Sequence, residues 1–399
     1  MQKVQKNLKI FAALPLMFAL VLTAVLAAVL TLADSNTAEA AQPPPVDAAS
    51  YVLMSADTGE ILAEENANEA RFPASTTKLM TMVLIMEALE NGSLTLDDQI
   101  TTSEFASGMG GSQVYLEAGE TRSLKEMLIG IAVGSGNDAC VAVAEHMAGS
   151  EEAFVDMMNG KAKEIGMKGT HFVNAHGLHD EKHYTTAADM AALAYYALQN
   201  YPQLLEYTGI YEYQFRPEPK PLVLWNTNKL LKWYEGTDGL KTGYTSNAGR
   251  NLVATASRND MRLISVVMGV QPKNGHFKES IKLLDYGFNN YTYDKIFAKG
   301  DVVCSVPVEK GTASYVDLMT ANDVGILTEK NQNSETERSI AVSNNIQAPV
   351  QAGDVLGQIT ISRGGEDIST VDLIAITDVP KISLPQMFRR NLQAVLSIG

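Results

Sequence analysis

The sequence predicts an α/β domain followed by a small β-rich sandwich, and three observations carry that prediction. Runs with strand character occur in the stretch from Ser50 to Asn68 and again between Gly239 and Val270, and they bracket a middle with helical periodicity, so one sheet should use both ends of that region. From about Asp301 the pattern changes to short strands at turn-punctuated intervals. The length of 399 residues, with 46% hydrophobic and 19% charged residues, suits two globular domains with a real core.

The chain begins with a segment that is not part of the fold. Lys3, Lys6 and Lys9 precede an apolar run from Ile10 to Leu32, and Ala38-Glu39-Ala40 follows. A basic start, an apolar middle and small residues at a cleavage point make a secretory signal over residues 1–40. The run is also long enough to span a bilayer, so an uncleaved anchor is the alternative. In either case the working part is exported and lies outside the cytoplasm.

The first domain is expected over residues 41–295. "SYVLMSADTGEILAEENAN" reads as a hairpin turning at Asp57-Thr58-Gly59. In "RFPASTTKLM" and beyond, Leu79, Met82, Val83 and Met86 recur at helical spacing, and Asn91-Gly92 ends the helix. "SLKEMLIGIAV" and "DACVAVAEHMAG" are helices separated by Gly134-Ser135-Gly136-Asn137, and "TTAADMAALAYYALQ" is another. "GLKTGYT", "NLVATAS" and "MRLISVVMGV" read as neighbouring antiparallel strands, the last two joined at Arg258-Asn259-Asp260, before "HFKESIKLLDYGFNNY" closes the domain as a helix. Residues 301–380 supply the β-rich domain, which carries no motif that offers chemistry. In the final segment, 384–399, Leu384, Met387, Phe388, Leu392, Val395 and Leu396 share one helical face. Its plainer reading is a helix packed on the sandwich; the favoured one is a foot in the membrane interface, because little chain remains to cover it.

Charge and cysteine content narrow the function. A formal net charge of −15, with no basic stripe, excludes nucleic acid as a partner. The two cysteines, Cys140 and Cys304, lie far apart, and buried free thiols are expected rather than a disulfide or a catalytic thiol.

Chemistry enters at Ser75 and Lys78. Three residues apart at a helix start, they share a face, with the serine near free backbone N–H groups at the positive end of the helix dipole. That suits a nucleophile with an adjacent amine to take its proton. Alone the pair is weak, since about one Ser-x-x-Lys is expected by chance in such a chain. Ser135-Gly136-Asn137 alone is a capped turn, and Lys241-Thr242-Gly243 alone is an edge-strand lysine. Together, in this order and these settings, the three form the motif trio of penicillin-binding proteins and class A β-lactamases.

On these residues the chain resembles the low-molecular-mass penicillin-binding proteins, the D-alanyl-D-alanine carboxypeptidase family of serine peptidases. "FVNAHGLHDEKHYTTAADMA", "NTNKLL" before "DGLKTGYT", "NLVATA" and "MRLISVVMG" extend the likeness over nearly the whole mature chain. The resemblance implies a β-lactamase/transpeptidase-like domain, a five-stranded antiparallel sheet flanked by helices. It implies that Ser75 attacks the carbonyl between the last two D-alanines of a peptidoglycan pentapeptide stem, and that β-lactams acylate it. Lys78 would be the base, which requires a neutral amine, although a free lysine titrates near about 10.4. Burial and the positive charge of Lys241 are expected to lower it. Lys241 and Thr242 would bind the substrate carboxylate, Ser135 would relay a proton to the leaving D-alanine, and Asn137 would hold the substrate amide. Gly243 would let substrate lie along the strand. The backbone N–H groups of Ser75 and Tyr244 would form the oxyanion hole. Some relatives have histidine at the position of Tyr244; since the hole uses the backbone, altered substrate preference or deacylation is expected, not loss of activity.

His171, His176, His179 and His183 crowd one loop, but their spacing fits no single helix face and the trio needs no metal, so neither metal nor cofactor is expected. A β-lactamase on the same fold is the near rival; class A enzymes carry Glu-x-x-Leu-Asn after the second motif, and no such string lies between Asn137 and Lys241. A non-catalytic wall-binding module is the rival from another class, and the intact trio speaks against it.

Overall fold

Alternation along the strands decides which helices cover which face of the central sheet. The structure is a computed structural model that describes residues 42–330 and 336–387. The export segment therefore lies outside the described residues, as do residues 388–399 of the terminal amphipathic segment, whose residues 384–387 form one helical turn. Among the described residues no helix is long and apolar enough to cross a membrane.

The central sheet contains β1 (Ser50–Ser55), β2 (Ile61–Glu65), β3 (Thr237–Thr245), β4 (Gly249–Arg258) and β5 (Met261–Val270). Their order is β2-β1-β5-β4-β3, every pair antiparallel, so both ends of the domain meet in one sheet as expected. Successive side chains of a strand point to opposite faces. Val52 and Met54 of β1 and Ile264 and Val266 of β5 join the core of the helical middle. Leu53 and Leu263 point the other way, where the position of a Gly287 side chain would meet both, in the helix that covers that face. Asn259 and Asp260, at φ 50° and 61°, turn β4 into β5 in the left-handed backbone that a two-residue hairpin requires.

The helices that matter here are α1 (Lys78–Glu90), α2 (Leu124–Ala132), α3 (Asn137–Ala148), α4 (Glu151–Ile165), α5 (Ala187–Asn200) and α6 (Gly275–Asn290), the last being the one against Leu53 and Leu263. Helix α1 is buried on every face from Lys78 to Met86, which places its first turn deep in the molecule. A capping box of Ser123 and Glu126 starts α2, and Ser150 and Thr186 cap α4 and α5, so each start is written in the local sequence. The short link between α2 and α3 carries Ser135 at φ 58°.

The β-rich part holds β6 (Tyr291–Phe297), β7 (Val302–Pro307), β8 (Tyr315–Thr320), β9 (Val324–Glu329), β10 (Thr336–Val342), β11 (Val355–Arg363) and β12 (Glu366–Ala375). Strands β7-β8-β12-β11-β10 form one antiparallel sheet and β6 pairs with β9, and Val306, Leu318, Ile326, Ile359 and Leu373 from both sheets share a core. This is the expected sandwich. It begins earlier than the change of character at Asp301: β6 pairs with β9 from Tyr291 onward, so residues 291–295 belong with the sandwich and not with the first domain. Asp294 and Lys295 break the apolar pattern of β6 and hide it in the sequence. Cys140, buried in α3, and Cys304, in β7, are both free thiols.

Candidate active site

The Ser75 turn differs from a plain helix start. Residues Ala74–Thr77 form a 3-10 turn that runs into α1, and Ala74 stands at φ 50°, a left-handed conformation that alanine rarely adopts. The surroundings enforce it. Thr77 Oγ1 donates to the Ala74 carbonyl at 2.8 Å, and Gly177 presses so close that a Cβ there would lie 1.9 Å from the same oxygen. Ser75 is half-buried at the surface of this turn, whereas Lys78 is completely buried beneath it.

Lys78 Nζ has three neighbours: Ser75 Oγ at 3.1 Å, Asn137 Oδ1 at 2.6 Å and the His176 carbonyl at 2.6 Å. A neutral amine has two hydrogens and one lone pair. The two short contacts are to pure acceptors and take both hydrogens, which leaves the lone pair directed at the Ser75 hydroxyl. Burial pushes the Lys78 ammonium down to about 8, in the direction this arrangement needs. The side chains that sequence reasoning named as nucleophile and base are thus in hydrogen-bond contact, with Asn137 as the third member.

Asn137 is shared between the protein and the groove. Its oxygen accepts from Lys78 and its Nδ2 donates to the Gly110 carbonyl at 2.7 Å, so it ties the base to the 110–116 loop. One N–H of that amide remains for a further acceptor. Ser135, two residues earlier, is buried in the link before α3.

Lys241 lies on edge strand β3 yet is buried, and its ammonium donates to the Thr242 carbonyl at 3.2 Å, its single acceptor among the described residues. Burial and then the Lys78 charge push it down to about 7. Both lysines are lowered, chiefly by burial, which is the direction expected for Lys78. A buried ammonium with one acceptor is an unfinished site, complete when an anion arrives. Thr242 Oγ1, beside it, is held by Thr227 Oγ1 at 2.6 Å.

Gly243 has a reason besides the one expected. A Cβ there would lie 2.7 Å from the Pro73 oxygen, 2.9 Å from Thr76 N and 3.0 Å from Ser75 N. The glycine lets the strand touch the Ser75 turn. Because neighbouring residues alternate, Tyr244 points to the opposite face, where it is exposed and Arg250 stacks 4.6 Å from its ring centre. Only its backbone is available on the serine side.

Several supporting residues carry no motif. Asp138 is buried and accepts from the N–H groups of Val114, Leu116 and Ala139, which anchors the loop beneath Asn137. Asn226 and Asn228 clamp the segment that presents Thr227, with Asn228 Nδ2 donating to the Gly239 carbonyl at 2.9 Å. The only sequence signal was the phrase "NTNKLL" itself. The histidine loop serves the lysine. His183 accepts from Val173 N at Nδ1 and meets Thr77 Oγ1 at Nε2, 2.8 Å away. His176 accepts from Leu178 N and faces Glu151 at 3.3 Å, while its carbonyl holds Lys78. Burial drives these imidazoles down to about 3 for His176 and about 4 for His183, so both are neutral. Their ring nitrogens are committed to protein partners.

Residues 37–272 match the family model described as D-alanyl-D-alanine carboxypeptidase, and residues 291–381 match that of the penicillin-binding protein 5 C-terminal domain. The D-alanyl-D-alanine carboxypeptidase DacF of Bacillus subtilis (strain 168) is 42% identical over 348 residues, which cover 87% of this chain and 89% of that protein. Among solved structures, penicillin binding protein 5 from Haemophilus influenzae superposes with a TM-score of 0.69 at 35% identity, covering 86% of this chain and all (100%) of that one. Penicillin-Binding Protein D2 from Listeria monocytogenes, in the ampicillin bound form, gives a TM-score of 0.56 at 31% identity over 61% of this chain and 100% of that one.

Proposed function

The chain belongs to the D-alanyl-D-alanine carboxypeptidase family, and from that premise we propose that Ser75 removes the terminal D-alanine of peptidoglycan stem peptides through an acyl-enzyme. The observation that carries this reading is Lys78 Nζ, 3.1 Å from Ser75 Oγ and 2.6 Å from both Asn137 Oδ1 and the His176 carbonyl, where a neutral amine that gives its two hydrogens to those acceptors turns its lone pair to Ser75.

In this mechanism the stem peptide lies against β3 with its terminal carboxylate at Lys241 and Thr242. The arriving charge favours the protonated form of Lys241, and that cation in turn favours the neutral form of Lys78. Substrate binding thereby prepares the base. Lys78 takes the Ser75 proton as Oγ bonds to the carbonyl carbon of the penultimate D-alanine, and the oxyanion sits against the backbone N–H groups of Ser75 and Tyr244. When the tetrahedral species collapses, the C–N bond breaks and the departing amine receives the proton through Ser135. Water, deprotonated by Lys78, then attacks the ester and releases the shortened peptide and free Ser75.

The ampicillin bound relative supports extending the same acylation to β-lactams. Without the Glu-x-x-Leu-Asn string of class A β-lactamases between Asn137 and Lys241, the penicillin adduct is expected to hydrolyse slowly. The basic, apolar and small-residue pattern of residues 1–40 supports export. The terminal segment supports attachment to the outer face of the cytoplasmic membrane. Residues 41–290 are the catalytic domain in this organisation and 301–380 the core of the β-rich one, which β6 joins from Tyr291 onward.

Mass spectrometry after penicillin treatment tests the reading, together with D-alanine release by the wild type and Ser75→Ala. The adduct is expected on Ser75 and release is expected to vanish in the variant. An adduct on another residue, or undiminished release, refutes the mechanism. Rapid turnover of penicillin would favour the β-lactamase.

A further inference from the structure

The carbonyl that accepts from Lys78 belongs to a loop segment, residues 174–178, lying across the first turns of α1. The Ala175 carbonyl accepts from Thr81 Oγ1 and the His176 carbonyl from Lys78 Nζ, each at 2.6 Å. Lys78 and Thr81 are three residues apart and share a helix face, so two successive carbonyls hold two neighbouring side chains of that face. Asn174 closes the segment on itself: its Oδ1 accepts from Gly177 N at 2.6 Å and its Nδ2 donates to the Leu178 carbonyl at 3.0 Å. The tie that places the segment against α1 comes from a third element.

Glu151, the first residue of α4, supplies it. Its Oε1 accepts from Ala175 N at 2.9 Å and lies 3.3 Å from His176 Nε2. The ring is set for that second contact. Nδ1 accepts from Leu178 N at 3.1 Å, so the one hydrogen of the neutral imidazole is on Nε2, facing the carboxylate. Two donors thus meet one oxygen atom, and the residues that supply them are the two whose carbonyls hold Thr81 and Lys78. The Glu151 side chain is 12% exposed and that of His176 4%, so water competes little for these contacts. Burial and the neighbouring Glu152 and Glu145 charges raise the Glu151 carboxyl, so the surroundings do not favour its charge. What they use is an acceptor oxygen in a fixed place.

We propose that Glu151 is a positioning residue for the general base: through Ala175 N and His176 Nε2 it holds the His176 carbonyl against Lys78 Nζ, and so directs the lone pair of that amine at Ser75. It acts through the loop and touches neither substrate nor the reacting atoms. The assignment rests on the acylation reading given above. Without this tie the carbonyl has no fixed place, and two effects of opposite sense follow. The ammonium form of Lys78 loses an acceptor, and since a hydrogen bond to the charged form favours that form, the base should give up its proton more readily. The neutral amine, with one hydrogen released, no longer aims its lone pair at Ser75, so acylation from the neutral form should slow. The other titratable groups facing Lys78 keep their places: Asp138 and Cys140 from α3, Lys241 from β3 and His183 from the loop.

The test follows the rate of Ser75 acylation by labelled penicillin against pH for the wild type, Glu151→Gln and Glu151→Met, with thermal unfolding to confirm that each is folded. Glu151→Gln keeps Oε1 for both donors and should acylate within about twofold of the wild type, with the same midpoint. Glu151→Met keeps the bulk and removes the acceptor. Its plateau rate should fall about ten- to a hundredfold while its midpoint moves down by about one pH unit. His176→Phe keeps the ring without Nε2–H and should behave like Glu151→Met; it carries the test if Glu151→Met does not fold. A slower rate with an unmoved midpoint would mark a structural role alone and overturn the proposal. So would wild-type acylation by Glu151→Met, or a Glu151→Gln as slow as Glu151→Met. A wild-type enzyme that penicillin does not acylate at Ser75 would overturn the carboxypeptidase reading as well.

Discussion

Substituting alanine for Gly243 tests the most specific mechanical statement in the structure, that strand β3 and the nucleophile turn touch through a position without a side chain. The added Cβ would stand 2.7 Å from the Pro73 oxygen, 2.9 Å from Thr76 N and 3.0 Å from Ser75 N. All three are backbone atoms, so no side-chain rotation relieves the contact. Ordinary carbon–oxygen contact lies at roughly 3.3 Å, so strand and turn must part by about half an ångström. Overpacking of this kind costs about 1–3 kcal/mol, which a domain with this core survives. The effect on chemistry should be larger in proportion. The displaced pieces carry Ser75 on one side and Lys241, Thr242 and the Tyr244 backbone on the other, and a misplacement of about 1 Å can cost about a hundredfold in rate. We expect Gly243→Ala to remain folded and to acylate with labelled penicillin about ten to a hundred times more slowly. Stopped-flow or gel-based labelling reads the rate, and thermal unfolding confirms that the protein is intact. A folded variant acylated at the wild-type rate would refute the claim that the two pieces are held in register through this contact.

Other consequences follow from the same geometry. Acylation should rise with pH through about 8, because Lys78 must be neutral and its ammonium is lowered to about 8 by burial; the pH profile of the acylation rate checks it. The two lowered lysines also bear on stability. In the native state they bind fewer protons than unfolded lysines, so their contribution to stability should grow from about pH 7 toward about pH 10 and be lost as pH falls through 8 and 7, readable by denaturant unfolding of the wild type against Lys241→Met. Thr227→Val removes the hydroxyl that receives Thr242 Oγ1, so KM for D-alanyl-D-alanine substrates should rise about fivefold with a smaller change in kcat. Asp138→Ala leaves the N–H groups of Val114, Leu116 and Ala139 without their acceptor and should destabilise the protein by roughly 3 kcal/mol, seen as a lower Tm.

The chemistry of this site was legible because three short motifs each contain their own reactive group. The support was less legible, for reasons that particular residues make plain. Ser75 and Lys78 meet across one turn, a local relation that spacing encodes, whereas Asn137 and the His176 carbonyl come to Lys78 from far along the chain. Nothing in "PAST" announces that Ala74 takes φ 50°, since alanine is the best of helix formers. That backbone packs against Gly177, a loop glycine about a hundred residues away whose lack of a side chain makes room for the Ala74 carbonyl, and no periodicity rule reaches so far. The packing role of Gly243 went unseen because period-2 alternation says only that neighbours point oppositely, not which face meets the serine. Thr227 has no motif at all; it counts only because two asparagines fold its segment beside Thr242. The fold itself was read well where strands are continuous buried runs, as in β1 and β5, and its boundary was missed at β6, where two charged residues interrupt the pattern.

The two buried lysines raise a question that motif matching does not pose: why an enzyme should bury two like charges side by side, where each makes the other harder to hold. Burial lowers both ammonium groups, Lys241 to about 7 and Lys78 to about 8, and each charge opposes the other. The occupant of the groove then decides which of the two is the more easily protonated. A carboxylate beside Thr242 draws the proton to Lys241 and leaves the Lys78 lone pair on Ser75; an uncharged occupant does not. Selection for a chain end and activation of the nucleophile would then be one electrostatic event. If so, replacing the terminal carboxylate of a substrate by an amide should reduce kcat and not only raise KM, because the base itself is lost. Amidated and free peptides compared under single-turnover conditions separate the two effects, and an amide that binds weakly but acylates at the full rate once bound would show that Lys241 does no more than hold the substrate.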